Sequence, residues 1–90
     1  MKSKYVRQYL TRGDTVSVEL NRTAQVRLMD RNNFDRFKQN KECTFYGGMA
    51  KQSPAEIEVP RSGEWYIVIT PRNKGDHVEF SVRFLAKMDY

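Results

Sequence analysis

Val59-Pro60-Arg61-Ser62-Gly63-Glu64-Trp65-Tyr66-Ile67-Val68-Ile69-Thr70 is the stretch whose reading decides the fold. Pro60, Ser62 and Gly63 make a turn, because proline lacks the amide hydrogen a ladder needs and glycine accepts the φ values of a sharp bend. The residues that follow, Trp65 to Thr70, are all aromatic or β-branched. A strand with one wet face alternates apolar and polar side chains, whereas one without any charged position is covered on both faces. Trp65–Thr70 is therefore expected to be a central strand of an all-β core.

Working outward, alternation recurs along most of the chain. Tyr5–Leu10 reads as an edge strand, with Tyr5 and Tyr9 on one face and Val6 and Leu10 on the other. Thr11–Asp14 is a turn. Thr15–Leu20 points Val16, Val18 and Leu20 inward and Ser17 and Glu19 to water, and Ala24–Met29 repeats this with Ala24, Val26 and Leu28 inside. Asp30–Asn40 breaks the period. There Asn32 or Asn33 is expected to cap a short helical turn that carries Phe34 and Phe37 on one side, as a lid on the core or on one end of it. Thr44–Gly48 is expected as a short strand ending at Gly47-Gly48, a bulge or a close backbone approach. Ala55–Val59 alternates with Glu56 and Glu58 outward, and Val78–Phe84 puts four apolar residues on one face. Ala86–Tyr90 reads as a tail. The expectation is one all-β domain, with its core at about 5–85. Its architecture is a small antiparallel β-sandwich, jelly-roll-like, of about seven or eight short strands with one short helical turn.

Composition narrows the function classes. Ninety residues make one thin core that buries roughly 60–65% of the unfolded surface. The longest apolar run, Trp65–Ile69, is far short of the ~20 residues a membrane helix needs, so no membrane partner is expected. Met1-Lys2-Ser3-Lys4 is followed by no apolar segment, and Cys43 is alone, so a reducing, cytoplasmic setting is expected. Sixteen Lys and Arg against eleven Asp and Glu give a net charge of +5. The Arg22–Lys51 stretch carries seven basic residues against Asp30, Asp35 and Glu42. A solvated surface accounts for such a pattern as well as a binding surface does.

Residues able to carry chemistry are few. His77 stands beside Asp76, but neighbours in a strand point to opposite faces, so a solvent-facing turn histidine is the simpler reading. Cys43 has no adjacent histidine, and no cysteine or histidine spacing suits a metal, so neither a metal nor a cofactor is expected. Gly47-Gly48 lacks the Lys-Ser or Lys-Thr of a phosphate loop. Arg12-Gly13-Asp14 spells a cell-adhesion tripeptide but reads as a turn. The remaining constellation, Arg27, Asn33, Tyr46, Gly47 and Gly48, lies at strand ends near the irregular connection, where recognition residues commonly sit. Asp30 is read there as a partner for backbone amides.

Taken in order, Tyr9-Leu10-Thr11-Arg12-Gly13-Asp14, Val26-Arg27-Leu28-Met29-Asp30 with Asn33-Phe34, Tyr46-Gly47-Gly48, Ser53-Pro54 and Pro60-x-Ser62-Gly63-x-Trp65-Tyr66 resemble a bacterial family known as a domain of unknown function (number eighteen eighty-three). The resemblance spans about Tyr5 to Leu85. It implies a small β-sandwich, found alone and attached to TIR domains, and hence a sensing or interaction module in defence-type signalling. It implies no catalytic residue.

Three readings of function follow. The first is a non-enzymatic binding or sensor module that engages a protein or a small polar ligand through Arg27, Asn33, Tyr46, Gly47 and Gly48. The alternative is a nucleic-acid-binding β domain using Arg22, Arg31, Arg36, Lys38 and Lys41 together with Arg27, with Phe34, Phe45 or Tyr46 stacking on bases. The third is a hydrolase or transferase built on His77 or Cys43. A homo-oligomer is compatible with each, since an open sandwich leaves strand edges to protect.

Overall fold

The computed structural model describes residues 3–87. Its elements are β1 (Lys4–Leu10), β2 (Thr15–Leu20), β3 (Ala24–Asp30), α1 (Arg31–Lys38), β4 (Tyr46–Ala50), β5 (Ala55–Glu58), β6 (Gly63–Pro71) and β7 (Phe80–Leu85). Two antiparallel sheets pack face to face as a β-sandwich, one of four strands in the order β1-β6-β3-β4 and one of three in the order β5-β2-β7. Every connection except the one through α1 crosses between the sheets. Successive strands therefore line a common middle layer, which is why the alternation runs on through the turns.

β6 lies between β1 and β3 and is buried on both faces. Trp65, Ile67 and Ile69 join Leu10, Val16, Val18, Val26, Leu28 and Val59 in the layer between the sheets. Tyr66 and Val68 face the other way and form a second cluster with Met29, Phe34 and Phe37 beneath α1. That double covering is the physical cause of the unbroken aromatic and β-branched run.

The helix differs from expectation in two respects. It is a full element of eight residues rather than a single turn. Its cap is Asp30, whose carboxylate accepts from the Asn33 amide at 2.9 Å, because a side-chain oxygen just before the first turn satisfies an otherwise unpaired donor. Of the two positions expected for it, a lid on the core or on one end, it takes the first, covering the outer face of the four-stranded sheet over Met29, Tyr66 and Val68. Phe34 stacks on Tyr66 with centroids 4.1 Å apart and planes 8° from parallel, and Tyr5 tilts against Phe34 at 4.7 Å.

Smaller corrections have equally local causes. Ser17 is buried, because it sits mid-strand with Glu56 and Arg83 directly opposite on either side. The strand expected at Thr44–Gly48 starts at Tyr46 and carries the glycine pair inside it. Val78 is buried ahead of β7, while Phe84 on that edge strand is 37% exposed. Residues 88–90 of the expected tail, and Met1 and Lys2, lie outside the described residues. Among the described residues no helix is long and apolar enough to cross a membrane.

Candidate functional site

Asp30 organises the outer end of β3. One carboxylate oxygen caps α1 and also accepts from the Asn33 side-chain amide at 2.9 Å. The other takes Arg61 Nη2 at 2.7 Å, and the Arg61 guanidinium lies 4.8 Å from the Trp65 ring centroid. Trp65 Nε1 donates to the Arg61 carbonyl at 3.0 Å. The Pro-x-Ser-Gly turn is thereby locked to the start of the helix. At the far end of α1, Asn40 adopts φ 58°, while the amides of Asn40 and Lys41 donate to the carbonyls of Phe37 and Arg36. This left-handed stop satisfies carbonyls the helix leaves free, and asparagine tolerates it. The chain then returns along the helix, held by the Thr44 amide on Asn33 Oδ1 at 2.8 Å.

The result is a groove of about 640 Å³ between the end of α1, the returning segment and the outer face of the sheet. Its floor is Arg27, which points away from the middle layer because Val26 and Leu28 on either side point into it. The Arg27 guanidinium lies 5.5 Å from the Phe37 ring centroid and 5.1 Å from that of Phe45. Its Nε is buried and has no hydrogen-bond partner among the described residues. Lys38, Lys41 and Cys43 line the walls, with Ser3 and Thr70 at one side joined by a 2.7 Å hydroxyl hydrogen bond.

No carboxylate lines this groove among the described residues. Lys38 makes an exposed pair with Asp35 at 3.6 Å, and its ammonium sits 4.9 Å over the Phe34 ring. The helix C-terminus disfavours an anion by about 0.3–1 kcal/mol. One cation at ~4 Å attracts it by about 4 kcal/mol at the effective dielectric of a protein surface. The cations decide the sign of the field.

The residues singled out from sequence do not form one site. Arg27 faces α1, whereas the Tyr46 ring meets Trp65 edge-on at 6.0 Å beside the middle layer. Asn33 is occupied by Asp30 and Thr44. Gly47 lies opposite Arg27 in register. A Cβ there would collide with the Val26 carbonyl oxygen and stand 2.8 Å from Ile57 Cδ1, and the backbone has φ +106°. Close packing at the sheet edge thus accounts for Gly47. Gly48 has open space around it.

The basic set also divides. Arg22 lies 3.8 Å from Asp76 at the turn before β3. Arg31 is exposed on α1, and Arg36 lines a shallow neighbouring depression with Asn33, Glu42 and Thr44. Lys38 and Lys41 line the groove, as does Phe45, while Phe34 is buried under the helix. His77 lines a different pocket from Cys43, one of about 170 Å³ with Lys4, Ile69, Val78 and Phe80. Sequence reasoning missed Phe37 as a wall of the groove and the Ser3–Thr70 pair. The three-residue spacing of Phe34 and Phe37 was the available signal for the first, and only the pairing of distant strands reveals the second.

Comparisons with known proteins complete the picture. No curated protein and no solved structure matches the chain. A family model, described as Domain of unknown function (DUF1883), matches residues 1–88. With nearly its whole length covered, the chain belongs to the DUF1883 family.

Proposed function

We propose that the domain is a non-catalytic binding module that holds an anionic ligand in the Arg27 groove. The observation that carries this reading is the Arg27 guanidinium, 5.5 and 5.1 Å from two aromatic ring centroids, with a buried Nε that has no partner among the described residues, in a groove lined by no described carboxylate. Arg27 is half-buried, but its Nε–H is a buried donor, and leaving such a donor without a partner costs about 1–3 kcal/mol. An incoming oxyanion would supply the missing partner. Arginine suits that task because its planar fork can meet two oxygens while its faces lie on aromatic rings. In a cytoplasmic bacterial setting such a module would report the presence of its ligand to an attached or associated signalling domain. That is the sensing role in defence-type signalling which the family resemblance suggests.

Lys38, Lys41 and Phe45 stand in the same groove, and this coincidence supports a second reading, a nucleic-acid strand with its backbone on the cations. The test is a thermal-shift series at low salt with phosphate, sulfate, citrate and a mixed oligonucleotide. A ligand at a hundred times its Kd adds about 2.7 kcal/mol, which raises the midpoint of a domain this size by roughly ten degrees or more. The proposal predicts such a rise with at least one anion and its loss in Arg27→Met. A flat response to every anion, or an equal response in Arg27→Met, would overturn it.

A further inference from the structure

We infer that the ligand of this groove carries a terminal phosphate monoester, an inference that rests on the anion-binding reading above. The groove offers many donors and little to receive a proton. Arg27, Lys38 and Lys41 contribute cationic donors. Of the Ser3 and Thr70 hydroxyls, 2.7 Å apart, one donates to the other, so the acceptor's own hydrogen is free to point outward.

A carboxylate brings one charge and two oxygens, which a single guanidinium fork satisfies. It would leave Lys41 without counter-charge, and Lys38 with only its exposed pair to Asp35. A phosphodiester also brings one charge and two free oxygens. A phosphate monoester brings about −1.5 to −2 charge and three acceptor oxygens at neutral pH, and matches three cations flanked by hydroxyls. Phe45, 37% exposed at the groove wall, continues the surface with an apolar face for the organic part.

The charge argument has a pH signature. Among the described residues, the charged and titratable groups facing the groove are Arg27 from β3, Lys38 from α1, and Lys41 and Cys43 from the segment after it, while β6 and the residue before β1 contribute only hydroxyls. Asp35 lies beyond Lys38, and Glu42 lines the neighbouring depression. Among the described residues no histidine or carboxylate lines the groove itself. The second ionisation of a phosphate monoester falls near pH 6, between pH 7.5 and pH 5. If only the dianion binds, affinity drops about tenfold over that interval.

The experiment is calorimetric titration of the full chain with phenyl phosphate, dimethyl phosphate, benzoate, sulfate and a twelve-nucleotide single strand, at both pH values. Phenyl phosphate is expected to bind at least tenfold more tightly than dimethyl phosphate or benzoate at pH 7.5, and about tenfold more weakly at pH 5. Sulfate, a dianion throughout, should keep its affinity within about twofold. The exposed substitution Lys41→Gln should weaken phenyl phosphate several-fold without changing the fold. Benzoate binding as tightly as phenyl phosphate would overturn the monoester assignment and leave the anion reading standing, and so would equal pH dependence of sulfate. Tighter, pH-independent binding of the oligonucleotide would overturn it in favour of a diester backbone. Failure of every anion to bind would remove both this inference and the reading beneath it.

Discussion

Gly47→Ala and Gly48→Ala are neighbouring changes of one methyl group with different expected costs. At Gly47 the backbone has φ +106°, and the new methyl would run into the Val26 carbonyl oxygen and come within 2.8 Å of Ile57 Cδ1. The left-handed backbone costs an L-residue about 1–3 kcal/mol, and forcing an extra group into packed surroundings typically adds about 1–3 kcal/mol. The fixed obstacle is the ladder carbonyl in β3, since Ile57 Cδ1 is the end of a half-buried side chain that can turn aside. A loss of about 4 kcal/mol is expected. Gly48 has φ +152° with nothing within 4 Å of the added carbon, so only backbone strain remains, about 1–2 kcal/mol. Urea unfolding followed by Trp65 fluorescence measures both. With a slope of about 1–3 kcal/mol per molar, the two midpoints should differ by about 1 M or more. Variants matching within about 0.5 kcal/mol would refute the packing argument. Anion binding abolished in a stable Gly47→Ala protein would return Gly47 to the binding site.

Three other expectations follow from the same contacts. Asp30→Ala removes the helix cap and the Arg61 partner and should cost about 1–2 kcal/mol, nearly all from the cap because the ion pair is largely solvated; Asp30→Asn, which keeps a capping oxygen, should recover most of that in the same urea assay. Phe34→Ala empties the space stacked on Tyr66 and should cost about 3 kcal/mol or more, with hydrogen exchange in α1 accelerated more than in β2. Arg27→Met should change stability by less than about 1 kcal/mol, because lost cation–π contacts offset relief of a buried unpaired polar atom. A residue whose removal spares the fold and abolishes binding is the signature of a site maintained at some expense to stability.

Much of the fold was legible because it is written in side-chain period. Val16, Val18 and Leu20, or Val26 and Leu28, declare their face in any antiparallel arrangement, and the Trp65–Thr70 run declares two covered faces. Which strand lies beside which is a long-range matter. Nothing local states that β6 pairs with both β1 and β3. The position of α1 was illegible for the same reason: Phe34 and Phe37 announce an apolar stripe but not the surface that receives it. Ser17 shows the limit of period alone, since its burial follows from longer neighbours on two other strands.

The candidate site was legible in pieces. Arg27 stood out in one reading, Lys38, Lys41 and Phe45 in another, and the structure joins them in one groove. Tyr46 and Gly47 lie one and two residues beyond Phe45, yet a strand presents alternate faces, and there the ring of Tyr46 meets Trp65 rather than Arg27. Asn33 was seen as a recognition group because its polar side chain is exposed to view in sequence, whereas its bonds to Asp30 and Thr44 appear only once the chain has returned along the helix.

The most direct test of the central claim is the NMR signal of the Arg27 Nε–Hε group, followed in isotope-labelled protein during titration with phosphate at low salt. The account predicts a saturable shift of that signal together with the backbone amides of Lys41, Cys43 and Phe45, while Tyr46 and Gly48 move little. Shifts centred on Tyr46 and Gly48 with Arg27 unmoved, or no saturable shift at all, would contradict it.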